Sequence, residues 1–579
     1  MLIRRLAPLK IFLGALLLGT LGCFPPEASA RAVSDREARG KPALTQDLFL
    51  KGEALYQKQC ASCHGPDGAG DGKAAYLLYP RPRDFTTGEF RLISTADMVP
   101  TEEDLFKTIS RGMLGSAMPP WEHLPERDRW SLVVYVSYLA KIAKARQRGE
   151  VTEEMMKKGI PWTLQEKLIF GPVNPESLIQ VPPEPQAAPE PLVRGREMFV
   201  KACAPCHGLE GKGDGQQIMK DNQGFPLKPR DLTSGLFKGE ATSEALYHRL
   251  TAGLPGTPMP SYKDALTQEQ IWELIHYVQT LSEKNTGERL RLRRNQILAK
   301  KIKGELPLDP SRKEWQAVEP LFIALTPLWW RNDRIAGVEV RALHHGNRIA
   351  LHLSWADPTP DRSTAKPQLF SDGAAVQFSP EKDPPFFGMG GTEGAVHIWN
   401  WKASWQEETK NWEDIETVYP RMATEWYPAD PSYKFGSPTD NGPTNTRFHD
   451  PLYMTGWGAG NPLSSTERKS ALEEARAQGI GTLTAQTSGP SRGEAKGVWQ
   501  DGRWQLVFQR DMKARGPEDI KFKPGLSLSV AFAVWDGSAG DIKFKPGNFM
   551  SVAFAVWDGS VGDRNGQKSV SIWNELKIE

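Results

Sequence analysis

The apolar positions of this 579-residue chain follow three successive patterns. Near the start, Ile11 to Leu21 is an apolar run interrupted only by Thr20. Up to about residue 283 the period is then helical. Ile271, Leu274, Ile275, Val278 and Leu281 fall at i, i+3, i+4, i+7 and i+10, and Trp130, Val133, Val134 and Tyr138 make a similar stripe. From Trp315 onward the runs are short and alternating. Arg348 to Trp355, Ala374 to Phe378 and Trp504 to Phe508 have the period of strands, with Gly, Pro and Asp turns between them. Only Ser465 to Ala477 reads as helical in that half. The pattern predicts a multidomain protein: two all-α domains followed by an all-β sandwich with long loops.

The helical half contains one unit twice. Cys60-Ala61-Ser62-Cys63-His64 is followed by a Gly-rich run to Gly72, then Arg81-Pro-Arg-Asp-Phe85, then Gly115-Ser-Ala-Met-Pro-Pro120. Cys203-Ala204-Pro205-Cys206-His207 is followed by Gly208 to Gly215, then Lys228-Pro-Arg-Asp-Leu232, then Gly256-Thr-Pro-Met-Pro260. The Cys-to-Met intervals are 58 and 56 residues, for Cys60 to Met118 and Cys203 to Met259. The repeat places one domain at 45–145 and the other at 191–283.

CxxCH is the attachment signature of a c-type haem, with two thioethers from the cysteines and the histidine as proximal iron ligand. A redox CxxC does not need that histidine, and a zinc site would need further ligands. His64 and His207 are therefore the expected proximal ligands, on haems attached through Cys60, Cys63, Cys203 and Cys206. Met118 and Met259 are the expected sixth ligands, because each lies in a Gly/Pro loop at matched distance from its CxxCH. Met113, His123 and His248 lack counterparts in the other unit and are expected to be structural. Arg83 and Arg230, in the paired Pro-Arg-Asp segments, are candidates to contact haem propionates bidentately, with a surface ion pair as the alternative. A six-coordinate haem has no open position for substrate, which points to electron transfer.

Residues 1–30 read as a signal peptide: basic Arg4, Arg5 and Lys10, the apolar run, and Ala28-Ser29-Ala30 as cleavage site. That run is about half the ~20 residues that span a bilayer. Cys23, after Gly22, is an alternative lipoprotein acceptor and so a lipid anchor. Loss of the segment takes three basic residues and one acidic one, so the net charge falls from +2 to zero, which excludes a strongly basic nucleic-acid binder. It also leaves four cysteines, all within CxxCH. The expected compartment is the periplasm. Two stretches read as linkers: a Pro-rich extended spacer at 146–190, and a basic segment at 284–310 that is either a docking patch or a solvated basic helix.

The helical repeats resemble class I cytochrome c domains, down to Cys-His-Gly-x-x-Gly-x-Gly-Asp-Gly. In the β-rich part, the matching stretches are His352-Leu-Ser-Trp-Ala-Asp357, Ser371-Asp-Gly-Ala-Ala-Val-Gln-Phe378, Phe387-Gly-Met-Gly390, Ile398-Trp-Asn-Trp-Lys402, Ala553-Phe-Ala-Val-Trp-Asp-Gly559 and Gln567-Lys-Ser-Val-Ser-Ile-Trp573. Together they resemble the haem-binding gamma subunit of ethylbenzene dehydrogenase and its relatives in the dimethyl sulfoxide reductase family, over 311–579. The resemblance implies one non-covalent haem b held by a Met and a Lys, which map to Met389 and Lys568, with Lys543, Lys545 and His397 as alternatives. It also implies iron–sulfur and molybdopterin subunits on other polypeptides, and a soluble or membrane redox partner. Asp519 to Gly540 recurs as Asp541 to Gly562 with 18 of 22 positions identical, so one copy must form an extra strand or a loop. The expectation is a non-enzymatic electron-transfer subunit with two haem c and one haem b. The rivals are a c-type cytochrome fused to a carbohydrate-binding sandwich, whose tryptophans would be exposed, and a dihaem peroxidase.

Overall fold

In each helical repeat, a glycine lets two helices touch backbone to backbone. In the first repeat these are α1 (Gln46–Gln59) and α3 (Glu126–Gln147), with α2 (Glu102–Arg111) beside them. In the second they are α4 (Pro189–Met198) and α6 (Gln268–Thr280), with α5 (Ser243–Ala252) beside them. A Cβ on Gly52 would collide with the Ser131 carbonyl, and one on Gly195 with the Glu273 carbonyl. Both glycines stand eight residues before the first cysteine of their unit, so the crossing is part of the repeat. The computed structural model of the chain describes residues 40–169, 174–283, 286–329, 334–366, 369–391, 393–411, 413, 418–419, 468–485, 493–514, 516, 519–538 and 568–579. The leader with Cys23, the second copy of the tail repeat, and Lys543 and Lys545 lie outside these residues.

Helix ends follow their sequence. Thr101 and Asp104 form a capping box at α2, and Thr267 and Gln270 form one at α6. The α3 stripe is wider than its pattern suggests: Trp130 to Ala140 is buried on every face. The reason lies in 146–190, where an extended spacer was expected. Helices Glu153–Lys158 and Trp162–Ile169 occupy that stretch, and the second packs Trp162, Leu164, Leu168 and Ile169 onto the first domain. Lys141 Nζ donates to the Ile169 carbonyl at 2.6 Å, and Ile179 N donates to Ser94 O at 2.9 Å. Only the Pro-rich end, 181–188, is extended. Enough apolar side chains punctuate the charged stretch for burial to hold it against the domain.

The C-terminal part is one continuous sheet rolled on itself. The ten longest of its fourteen described strands are β1 (Gln296–Lys301), β2 (Gly337–His345), β3 (Arg348–Ala356), β4 (Gly373–Ser379), β5 (Val396–Lys402), β6 (Leu472–Ala477), β7 (Gly493–Gln500), β8 (Arg503–Asp511), β9 (Ser527–Trp535) and β10 (Asn574–Ile578). The order is β6-β5-β4-β9-β10-β1-β2-β3-β8-β7. Pairing is antiparallel except where β1 lies parallel to both neighbours. The two ends face each other: a Cβ on Gly497 of β7 would strike Trp401 of β5. Inside the roll, Trp355, Trp399, Trp401 and Trp504 are 0–1% exposed. Arg510 is buried there too, paired with Glu474 at 3.1 Å and Asp519 at 2.5 Å.

Three expectations change here. The basic segment 284–310 is not a solvated helix, because β1 threads the centre of the sheet with Ile297 and Ala299 buried while Lys300 and Lys301 point outward. Residues 472–477 form a strand where a helix was expected. The helix-favouring Glu and Ala content yields to period-two burial, Leu472 and Glu474 facing the core, Ala475 and Ala477 the other side. The first copy of the Val-Ala-Phe-Ala-Val-Trp-Asp-Gly motif, Val530 to Gly537, forms β9 and the turn after it, while the copy matched above, Ala553 to Gly559, lies outside the described residues.

Candidate haem sites

Each CxxCH closes a helix. Cys60 N donates to Tyr56 O at 2.8 Å at the end of α1, and the chain then makes the single turn Ala61–His64. Ala204–His207 makes the same turn. His64 Nδ1 lies 3.0 Å from the Arg83 carbonyl, and His207 Nδ1 lies 3.2 Å from the Arg230 carbonyl. A carbonyl only accepts, so Nδ1 carries the proton in each ring and Nε2 keeps its lone pair. Burial lowers the pKa of both rings, which favours the neutral imidazole that a metal requires. The carbonyl is held in place by the next residue. Asp84 accepts from Thr86 N at 2.8 Å, and Asp231 accepts from Thr233 N at 2.9 Å.

The methionine loops are built alike. Met113 N donates to Met118 O, and Leu254 N to Met259 O, both at 3.1 Å. Ser116 and Thr257 each bridge their loop. Their hydroxyls donate back to Met113 O and Leu254 O at 2.7 Å and accept from Met118 N and Met259 N at 3.3 and 3.2 Å. Gly115 and Gly256, at φ 69° and 71°, begin the turn. Met113 therefore corresponds to Leu254.

Two clefts of about 1370 and 1350 Å³, counted to their open mouths, lie between these parts. The first brings together Cys60, Cys63, His64, Arg83 and Met118, and the second Cys203, Cys206, His207, Arg230 and Met259. His123 and His248 line neither. Burial pushes the thiols of Cys60 and Cys63 up to about 12 and Cys203 up to about 11, so they are protonated. Two thiols, a neutral imidazole with a free Nε2 and a thioether around a mainly apolar cleft fit a covalently attached haem.

A third candidate site lies on the face of the sheet opposite the tryptophan core. Ala375 of β4, Ala475 and Ala477 of β6 and Ala533 of β9, with Val396, Ile398 and Val570, form a floor of small side chains. Phe387, Met389, Trp535, Trp573 and Leu328 pack around it. Met389 has φ 74°, a left-handed conformation that is strained for a residue with a long side chain. The loop is tied down by Gly479 N donating to Met389 O at 2.9 Å and by Gln377 Nε2 donating to Phe387 O at 2.7 Å. Lys568 Nζ lies 4.7 Å from the centre of the Trp535 ring, and burial lowers its pKa to about 8. His397 has the parity of Trp399 and pairs with Phe378, which puts it on the core face, away from Met389.

A family model described as Ethylbenzene dehydrogenase matches residues 313–543. One described as Cytochrome C oxidase, cbb3-type, subunit III matches 47–136, and one described as Cytochrome c matches 192–282. The chain carries two cytochrome c domains and an ethylbenzene-dehydrogenase-type domain. A putative respiratory nitrate reductase haem subunit of Haloferax mediterranei is 26% identical over 274 residues, 46% of this chain and 67% of that protein. A thiosulfate dehydrogenase of Allochromatium vinosum is 46% identical over 56 residues, 8% of this chain and 21% of that protein. Among solved structures, a chain of the Kuenenia stuttgartiensis reducing HAO-like protein complex is 34% identical, with 42% of this chain aligned to 100% of that one at a TM-score of 0.35. The chain is a haem-containing electron-transfer protein with haem c in each cytochrome c domain. Among the described residues no helix is long and apolar enough to cross a membrane.

The two cytochrome c domains face each other and exchange their arginines. Arg230 Nη1 donates to Gly115 O, in the methionine loop of the first domain, at 2.7 Å. Arg83 reaches the equivalent glycine of the second: a Cβ on Gly256 would sit 3.3 Å from its Nη1. Sequence reasoning selected these arginines for their side chains and missed the role of their carbonyls on the histidines. It also missed Lys238, which lines both clefts, and Phe386, which enters the first cleft from the ethylbenzene-dehydrogenase-type domain. Phe386 carried no signal, but Lys238 did, as the counterpart of Arg91 in the paired segments Gly88-Glu-Phe-Arg91 and Gly235-Leu-Phe-Lys238.

Proposed function

We propose that this chain is the haem subunit of an exported, periplasmic oxidoreductase complex, relaying electrons between iron–sulfur and molybdopterin subunits and an external redox partner, with no substrate chemistry of its own. A third, non-covalent haem b belongs to the C-terminal domain, with Met389 and Lys568 as its ligands. The observation that carries this lies on the face of the sheet opposite the tryptophan core. Four alanines make a floor against which pack Met389, held in a left-handed backbone conformation, and Trp535, whose ring lies 4.7 Å from a lysine amine that burial drives toward neutrality. Lysine binds iron only as the free amine, so the depressed pKa favours ligation. The haem, when bound, supplies a one-electron centre. Met118 and Met259 would supply a thioether to the iron of each c site, and Arg83 and Arg230 would offer guanidinium groups to haem carboxylates.

The carbohydrate-binding alternative requires aromatic platforms open to solvent. Among the described residues no tryptophan is in the exposed class, and four of them fill the roll. Haem stoichiometry tests the proposal. Acid-acetone leaves thioether-linked haem on the protein and releases haem b, so pyridine haemochrome analysis of the two fractions should give two c to one b. No extractable haem in protein made with ample haem supply would refute the third site. Co-purification of an untagged molybdenum-containing partner tests the complex separately.

A further inference from the structure

Lys238 stands where the two cytochrome c domains meet, at the position that Arg91 holds in the first repeat: Arg83-Asp-Phe-Thr-Thr-Gly-Glu-Phe-Arg91 aligns with Arg230-Asp-Leu-Thr-Ser-Gly-Leu-Phe-Lys238. It lines both clefts, and Pro80 is the other residue they share. The charges that act most strongly on its amine are Arg91, Arg230, Arg83 and Arg249, all of them positive. Burial and this repulsion drive the pKa of Lys238 well below the ordinary lysine value, and burial brings Arg91 and Arg230 to about 10 and Arg249 to about 9. The carboxylates nearby have partners of their own. Asp221 pairs with Arg91 at 3.6 Å, Glu89 accepts from Asn222 at 2.6 Å near Arg83, and Glu240 is held by Arg111 at 3.1 Å. Arg91 Nε is buried with no hydrogen-bond partner among the described residues. Such a concentration of half-buried cations favours anions between them. The clefts on either side are the places where haem c, with its carboxylate edge, is attached.

We propose that Lys238 is a shared anchor for both c haems, taking a propionate from each, so that the two groups meet edge to edge at the domain junction and one charge sets both potentials. The inference rests on haem c in both domains. Lys238 is a positioning and tuning residue, not an iron ligand. A positive charge beside a haem favours the reduced state, which carries one positive charge less. Removing it should therefore lower both midpoints together.

The test is spectroelectrochemical titration of the full chain with Lys238→Gln and Lys238→Arg. In Lys238→Gln both c-haem midpoints should fall, each by about a tenfold change in the reduction equilibrium, or about 59 mV for one electron. Lys238→Arg should leave both near their original values. A shift confined to one haem, or no shift in either, overturns the proposal. Covalent haem content is measured on the same samples, so that a failure of haem attachment is distinguished from a failure of the shared anchor. Should Lys238→Gln not load with haem, pulsed EPR on the oxidised unmodified chain decides. Haems that meet at their propionate edges give mutual relaxation enhancement of the two low-spin ferric signals, and magnetically isolated signals overturn the proposal.

Discussion

Haem b retention in this chain should depend on pH through Lys568. Its amine, with a pKa lowered to about 8 by burial alone, is neutral in about a tenth of molecules at pH 7 and about a hundredth at pH 6. An ordinary solvated lysine would be neutral in about one molecule in three thousand at pH 7. Burial thus makes ligation easier by roughly 3 kcal/mol, trimmed toward 2 because the side chain is only partly buried. The sign follows: a proton competes with iron, so affinity falls as pH falls below about 8 and levels off above it. The assay is partition of the extractable haem between the full chain and excess apomyoglobin from pH 5 to 9, with Lys568→Met in parallel so that the acceptor's own pH response cancels. The ratio of haem retained by the two proteins should drop about tenfold per pH unit below about 8. A flat ratio from pH 5 to 8 would refute the lysine as ligand, and an unmodified protein that holds no extractable haem would refute the site.

Met118→Ala and Met259→Ala should each remove about half of the long-wavelength ferric band that reports iron–thioether bonding; no change in either variant would refute the ligand assignment. Arg510→Leu leaves Glu474 and Asp519 buried without their cation and should destabilise the C-terminal domain by about 3–5 kcal/mol in denaturant melts followed by tryptophan fluorescence. Asp357 and Asp372 have pKa values raised to about 7 and about 8 by burial and by neighbouring carboxylates, so protonation supports the fold. The stability they contribute is full below about pH 4 and lost as pH rises to about 8. Asp357→Asn should flatten that loss, and an unchanged pH profile would count against the assignment. Limited proteolysis should spare 296–301, since β1 is hydrogen-bonded on both sides, while cleavage there before any other site would contradict the sheet order.

What the sequence made legible was local and repeated. Each c site is written within one motif or loop: the cysteines and histidine in five residues, the methionine in a Gly/Pro turn, and the repeat itself as a control on chance. The β half was legible as strands because alternation reports burial on one face. What was hidden depended on partners far along the chain. Ala475 and Ala477 face the third site only because β6 pairs with β5 in the register Ala475–Ile398 and Ala477–Val396, and nothing in Leu472 to Ala477 announces that pairing. The strand β1 hides in a basic segment because two buried side chains, Ile297 and Ala299, suffice for a strand flanked by parallel neighbours. Lys238 was legible as the counterpart of Arg91, but its place at both clefts was not, because those clefts are built by different domains.

One short segment shows why these domains belong on a single chain. Thr326 Oγ1 donates to Ser116 O at 3.0 Å, inside the loop that carries Met118. Two residues on, Leu328 O accepts from Tyr79 N at 3.0 Å, and Tyr79 and Pro80 wall the second cleft. Leu328 N donates to Lys568 O at 2.9 Å, and its side chain packs at the alanine floor. Trp329 stacks on Tyr79 with ring centres 5.1 Å apart. Thr326 to Trp329 therefore touches the methionine loop of the first c site, the wall of the second and the backbone of the proposed haem b ligand. Electron transfer between separate proteins is limited by encounter and by the orientation each encounter must find. Here residues 44–579 form one compact unit, and hydrogen bonds and ring contacts hold the three sites in one arrangement. Steps between sites held in this way need no diffusional encounter, so that in the proposed relay only exchange with the external partner would depend on one.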